Sequence, residues 1–296
     1  MPGSDSSSAV LAAAPSLEGI GRRAPLLAAV AAFGLLFAPT LAGLVRQWWD
    51  DPDAGHGLLL VPVALFLAWR SGLPAKVKRN RGLGAAMLVT AVLFRLAGSL
   101  AAELFTQRWA MLLAAAGLVT FFAGWRTVWR WWLPAGLLML SIPLPTVLLN
   151  ELALPLQFQA SRMGAALLSM RGVPVELTGN VINLPGHQLF VTEACSGLRS
   201  LTALLSIGLL LGGLWLHSPW FRGLLLLLAL GVAVLVNGVR VFLTGFLVFF
   251  VSPATGEGFM HTTEGWLLFV VSLGLMGLTT WALSAVEARQ GAASNA

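Results

Sequence analysis

Charge is what this 296-residue chain has least of, with Asp, Glu, Lys and Arg making up only 10% against about 25% in a typical soluble domain. Hydrophobic residues make up 57% and the mean hydropathy is +0.84. Several apolar runs approach or exceed the roughly 18–20 residues that cross a bilayer core, which excludes a soluble globule. Cysteine is almost missing too. The single one, Cys195, rules out an intramolecular disulfide and a multi-cysteine zinc site. The histidines His56, His187, His217 and His261 stand far apart and no His-Glu-x-x-His occurs, so neither a metal nor an organic cofactor is expected.

Other absences narrow the function. No basic stretch interleaved with aromatics lies away from the membrane edges, so the net charge of +6 does not point to nucleic acid. In a membrane chain a surplus of Lys and Arg reports orientation instead. No internal repeat is visible, which leaves an inverted-repeat transporter without support. No cleavable signal peptide is evident, and residues 1–21, rich in Ser, Ala and Gly, read as a disordered cytoplasmic tail.

What the chain does contain predicts an all-α polytopic membrane protein of about eight transmembrane helices. The spans fall at about 26–45, 56–69, 82–101, 109–124, 131–149, 197–215, 222 into the 240s, and 265–284. Together they make a membrane domain over 22–286, followed by a short cytoplasmic tail at 287–296. Residues 150–194 differ and read as a small extracytoplasmic α+β cap. Their first half, to about Met170, has Gln157, Gln159, Ser161 and Arg162 among apolar residues, as an interfacial helix would. Their second half reads as strands at Val173–Leu177, Val181–Leu184 and Leu189–Thr192, with turns at Thr178-Gly179-Asn180 and Leu184-Pro185-Gly186.

With the N-terminus in the cytoplasm, the inner side receives eleven basic residues: Arg22, Arg23, Arg70, Lys76, Lys78, Arg79, Arg81, Arg126, Arg130, Arg222 and Arg289. The outer loops receive four, Arg46, Arg108, Arg162 and Arg171, which is a positive-inside bias. Trp69, Trp109, Trp132, Trp215 and Trp266 fall near span ends, as interface anchors do. This orientation brings the cap, Cys195, the outer end of the seventh span and the 252–264 loop to one outer face.

Those segments hold the residues able to do chemistry. Cys195 stands where a polar loop runs into an apolar segment, and a helix N-terminus and a nearby arginine, Arg199 or Arg240, both favour a thiolate. In Asn237-Gly238-Val239-Arg240, residues three apart share a helical face. An arginine inside a span costs about 2.5–3.5 kcal/mol on insertion scales and marks a functional candidate. His261, just before the eighth span, is the proton carrier, because an imidazole titrates near working pH. The division of labour is then Cys195 as nucleophile on a peptide carbonyl, His261 as general acid and base, and Arg240 as donor to the developing oxyanion. Asn237 and Arg199 would orient Arg240 and bias Cys195, and Glu193 or Glu264 would orient His261. Arg95 could snorkel, pair with Glu103 or contact substrate. His56-Gly57 is split between lining the site and sitting at the interface. His217 reads as bystander surface and His187 as a solvated turn residue.

Glu193-Ala194-Cys195-Ser196-Gly197-Leu198-Arg199-Ser200, Asn237-Gly238-Val239-Arg240-Val241, and His261 ahead of Gly265-Trp266 resemble the three motif blocks of the exosortase/archaeosortase family. The Cys block, Ser196 included, is quite specific, and the other two are specific in that order and topology. The resemblance covers most of the chain beyond residue 21. It implies a bacterial inner-membrane cysteine peptidase and transpeptidase, with its active site facing the periplasm and both termini in the cytoplasm. Its partners would be membrane lipids and substrate proteins with a PEP-CTERM-type sorting signal: a Pro-Glu-Pro motif, one transmembrane helix, then a basic tail. Cleavage near the motif and transfer to an acceptor would accompany exopolysaccharide production. Cys195, Arg240 and His261 match the family's proposed triad. Two other readings stay open. One is a non-proteolytic transporter or scaffold of polysaccharide export, and the other a binder of a membrane partner in which Cys195 only packs.

Overall fold

The computed structural model describes residues 17–51, 54–74, 77–191, 198–252 and 258–294, with side chains left aside at 17–23, 146, 150, 152, 198, 199, 258–262, 264 and 292–294. Ten helices and three strands follow one another along these residues. They are α1 (Leu17–Asp50), α2 (Gly57–Ser71), α3 (Arg81–Leu100), α4 (Leu104–Ala123), α5 (Trp125–Arg130), α6 (Trp132–Leu140) and α7 (Thr146–Met170). Strands β1 (Glu176–Thr178), β2 (Val181–Leu184) and β3 (His187–Phe190) then precede α8 (Leu198–Trp215), α9 (Pro219–Phe250) and α10 (Gly258–Ser294).

Among the described residues, α1, α3, α4, α9 and α10 are long and apolar enough to cross a membrane, while α2 and α8 are shorter apolar helices. No more than 33% of any of the five spans is buried within the protein. Large apolar side chains such as Leu35 and Leu100 stand 81% and 91% exposed. In water such surfaces would aggregate; in a bilayer they are the lipid-facing side. The chain is a multi-pass membrane protein.

The five long helices fall on expected spans, and the helix boundaries differ from expectation in several places. First, α4 begins at Leu104, five residues ahead of the expected 109, because Glu103 supplies a cap further upstream. Second, α6 stops after nine residues. Pro143 and Pro145 follow, and proline disfavours helical geometry in the residue before it, so the run read as one span at 131–149 breaks before α7. Third, α10 starts at Gly258, so His261 belongs to a helix and not to the loop expected there. The segment 126–130, read as a loop, is the short helix α5, and α1 starts at Leu17, inside the stretch read as tail.

The chain forms two compact units, each holding part of α1. The first contains residues 1–43 and 73–128, built on the pair α3 and α4. Small residues let the two backbones approach. A Cβ at Gly84 would stand 2.6 Å from the Phe121 Cα and backbone N, and one at Gly98 would stand 3.0 Å from Gln107 Cγ. Gln107 Nε2 donates to Gly98 O at 3.0 Å, and Glu103 N donates to the same carbonyl at 2.8 Å. The connection turns through Ala102, whose φ of 52° is left-handed. Replacing Ala102 with glycine removes that strain, and the expected result is a gain of about 1 kcal/mol in thermal unfolding of the detergent-solubilised protein.

The Glu103 carboxylate accepts from Phe105 N at 3.0 Å and Thr106 N at 2.5 Å, capping α4. Hydrogen bonds from the Thr106 side chain and backbone hold its carboxyl below the ordinary glutamate range, with Arg108 adding attraction. A depressed carboxyl stabilises the fold above its unfolded pKa, about 4.3, and that contribution disappears as pH falls through the lower folded value. Glu103→Ala is therefore expected to cost about 1 kcal/mol at neutral pH, with the two proteins converging in thermal stability at strongly acid pH. A constant gap across that range would count against the cap.

The second unit contains residues 44–72 and 129–296. Trp48 is buried, donates from Nε1 to Ser141 O at 2.8 Å, and fills the space that a Cβ at Gly57 would need. His56 Nε2 lies 3.2 Å from Leu140 O, tying the start of α2 to the end of α6. At the base of α9, Ser218 makes no side-chain cap. The Glu287 carboxylate of α10 does it instead, accepting from His217 N at 3.1 Å and Ser218 N at 2.5 Å. The expected bystander His217 thus has a capped backbone, while its side chain is 94% exposed.

Candidate active site

The region around the site is built on α7 and α9. In α9 the buried residues Ala229, Ala233, Asn237, Gly238, Val241, Thr244, Gly245 and Val248 recur at helical spacing and make one stripe. Glycines bring α7 against it. A Cβ at Gly164 would stand 2.5 Å from Val241 Cγ1 and 3.3 Å from Phe242 N, and one at Gly238 would stand 2.8 Å from Met163 Cβ. The polar residues expected on an interfacial helix divide between the buried and exposed sides of α7. Gln157 and Ser161 are buried, whereas Gln159 and Arg162 are exposed. Ser161 Oγ donates to Gln157 O at 2.8 Å, and Gln157 Oε1 accepts from Asn180 Nδ2 at 3.2 Å, so the helix holds the sheet.

That sheet is antiparallel, in the order β1-β2-β3. Strand β2 matches its expectation, β1 is shorter, and β3 starts two residues earlier than expected. Gly179 at φ +65° and Gly186 at φ +79° supply the two tight turns. Ile182, Leu184 and Val191 pack with Leu168 of α7 and with Val241 and Val248 of α9 into one core. β1 and β2 contact α7, and a Cβ at Gly245 of α9 would reach Leu189 of β3 at 3.6 Å.

A small cleft opens there, lined by Leu189, Phe190 and Val191 on one side and by Arg240, Val241 and Thr244 on the other. Arg240 is half-buried. Its backbone carbonyl accepts from Thr244 Oγ1 at 3.0 Å. Its guanidinium rests on the backbone of α10, where a Cβ at Gly265 would stand 3.3 Å from Nη2 and 3.5 Å from Cζ. Gly265 follows position 261 by four residues, one helical turn on the same face. Arg240 is thus the cation of the cleft and the link from α9 to the first turns of α10.

The other expected site residues divide clearly. Asn237 is 6% exposed within the α9 stripe. Glu193, Cys195 and Ser196 lie outside the described residues, as do the side chains of Arg199, His261 and Glu264. His187 is exposed as expected, but it opens strand β3, paired with Leu184, and does not lie in the turn. In the first unit, Arg95 is half-buried in α3, and its Nε is buried without a hydrogen-bond partner among the described residues. Glu103 caps α4, and no ion pair between it and Arg95 is found among the described residues. Two participants escaped the sequence reading. Gly265 carried no signal beyond its place in a motif block, and Leu189–Val191 looked like ordinary strand residues. Only the packing of β3 and α10 against α9 exposes them.

Comparison with curated proteins and with solved structures gives no match. Residues 48–278, well over half of the chain and inclusive of the cleft, α9 and the start of α10, match the family described as transmembrane exosortase. The chain belongs to the transmembrane exosortase family.

Proposed function

We propose that this protein is a membrane-embedded cysteine peptidase and transpeptidase. It cleaves proteins carrying a C-terminal PEP-CTERM-type sorting signal at the outer face of a bacterial inner membrane and passes them to an acceptor, in step with exopolysaccharide production. The observation that carries this reading is the contact of Arg240 with Gly265. It puts a guanidinium one turn from position 261, on the wall of a cleft whose other side ends at Val191. Position 195 is four peptide units beyond Val191, a reach of at most about 14 Å.

The chemistry follows from those three side chains. The Cys195 thiolate adds to the scissile carbonyl carbon, and the carbonyl electron pair moves onto oxygen. Arg240 donates N–H to that oxyanion in a water-poor setting, where such a bond contributes several kcal/mol. The oxyanion then collapses, the C–N bond breaks, and the His261 imidazolium gives its proton to the leaving amine. A thioester remains on Cys195. An acceptor amine or hydroxyl, or water, adds to it while His261 takes up the proton, and expulsion of the Cys195 thiolate completes the cycle.

The same reading completes the topology. Eleven basic residues against four favour cytoplasmic termini. Crossings by α2, α8 and the α6 region, added to the five long helices, make eight, and the sheet then caps the outer face. A substrate with one helix in the bilayer and a basic tail inside would present its peptide bond at that face.

The test is co-expression with a reporter ending in a Pro-Glu-Pro stretch, an apolar span and a basic tail. Processing is expected to fall by at least about a thousandfold in Cys195→Ala and His261→Ala, with both proteins at normal membrane levels. Unimpaired processing by Cys195→Ala would end the thiol mechanism.

A further inference from the structure

β3 lines the cleft, and among the described residues its outer edge has no strand partner. Val191 N donates to Asn180 O at 3.0 Å, in register with the pairs Ile182↔Leu189 and Leu184↔His187. Alternate residues of an antiparallel strand bond to opposite sides. His187, Leu189 and Val191 therefore face β2, and the N–H and C=O of Gln188 and Phe190 face away from it. Among the described residues β3 pairs with β2 alone. Gln188 is exposed and Phe190 is 57% exposed. The two outward pairs stand about 6.8 Å apart, the repeat of a strand laid alongside. An exposed, partly apolar edge of this kind attracts another chain unless something is meant to cover it.

The occupant is fixed by charge and position. Among the described residues that line the cleft, Arg240 is the one charged side chain, and a segment carrying a carboxylate complements it whereas a basic one is repelled. β1, at the other edge, lies against α7, whereas β3 opens on the Arg240 side. The β3 wall ends at Val191, four residues before the only cysteine.

We propose that β3 is the docking edge for substrate. An extended, acidic stretch of the substrate polypeptide, just ahead of its membrane helix, adds as a fourth strand by bonding to the outward N–H and C=O groups of Gln188 and Phe190, with its carboxylate toward Arg240. This is strand addition, in which the backbone supplies affinity and alternate side chains supply specificity. It also sets the scissile bond in a fixed register relative to the cleft. The identity of the occupant rests on the proposed function, but the docking geometry does not depend on the thiol chemistry.

Two measurements test it. The Cys195→Ala protein has no cysteine, so adding Gln188→Cys leaves one thiol, on the exposed face of β3. The reporter described above carries a single cysteine, moved one residue at a time through its Pro-Glu-Pro stretch and flanks, and disulfide formation is scored in membranes. Strand addition predicts cross-links at alternate positions, because directly opposed and diagonal neighbours share parity. Cross-links at every position alike, at every third or fourth, or at none overturn the proposal. In the active protein, Phe190→Pro deletes an outward N–H and leaves the ladder to β2 intact, a place where edge strands tolerate proline. Processing is expected to fall roughly fivefold, and to fall less in Phe190→Ala, which keeps the N–H; equal values for the two also overturn it. Cross-linking requires no catalysis. Unimpaired processing by Cys195→Ala would thus sink the thiol chemistry alone, and lost alternation would sink the strand alone.

Discussion

Arg240→Lys is expected to lower processing by about a hundred- to a thousandfold, the cost of one oxyanion donor, while the protein reaches the membrane at its normal level. Lysine keeps the charge but not the planar fork, whose several N–H groups can serve a carbonyl oxygen from a fixed position. That position is defined by the half-buried setting in α9 and by the Gly265 backbone, close enough that a Cβ there would stand 3.3 Å from Nη2. Gly265→Ala should therefore displace the guanidinium by a few tenths of an ångström. It should lower kcat, because the oxyanion contact is made in the transition state, and raise KM as well to the extent that Arg240 also receives the docked carboxylate. If Gly265 acts through Arg240, Gly265→Ala adds nothing in an Arg240→Lys background, whereas an independent packing defect would multiply with it. Wild-type turnover in Arg240→Lys would remove Arg240 from the mechanism.

Gly164→Leu is the second large effect. Gly164 sits where α7 crosses α9, and even a Cβ would stand 2.5 Å from Val241 Cγ1 and 3.3 Å from Phe242 N. The second of these atoms is backbone and cannot move aside by rotating. A leucine must push the helices apart, at a cost of about 3 kcal/mol. Membrane helices gain little hydrophobic drive from each other and rely on such close contact. Because α7 carries the β1–β2 side of the sheet, processing should fall with stability. Gly231→Leu is the matched control, on the same α9 helix but with nothing within 4 Å of a Cβ. Thermal inactivation in detergent should separate the two by roughly 6 °C or more. Equal stability would show that α7 and α9 do not approach as described.

Much of the fold was legible beforehand. A helix in lipid must satisfy its own backbone, so a long apolar run is nearly sufficient to define it. α3, α8 and the start of α9 accordingly fall within a few residues of expectation. Strand β2 and both turns were legible because Gly179 and Gly186 supply left-handed backbone that few other residues adopt. The misjudged boundaries have local causes that hydropathy does not weigh. Glu103 starts α4 early, and two prolines end α6 early. His261 was assigned to a loop because the segment from Gly258 to Gly265 is polar, yet it is the first part of α10.

The sequence by itself determined that this is a multi-pass membrane protein, that it has one thiol to offer, and that one arginine lies deep in an apolar helix. These follow from composition and from residues adjacent in the chain. Only the tertiary structure decided that Arg240 leans on Gly265, that Glu287 caps α9 from α10, and that Leu189, Phe190 and Val191 line the same cleft as Arg240. Each of these joins positions separated by tens of residues. Such contacts are set by which helix faces pack, and that depends on glycines such as Gly164 and Gly238, whose value is the absence of a side chain and whose partners no local pattern names.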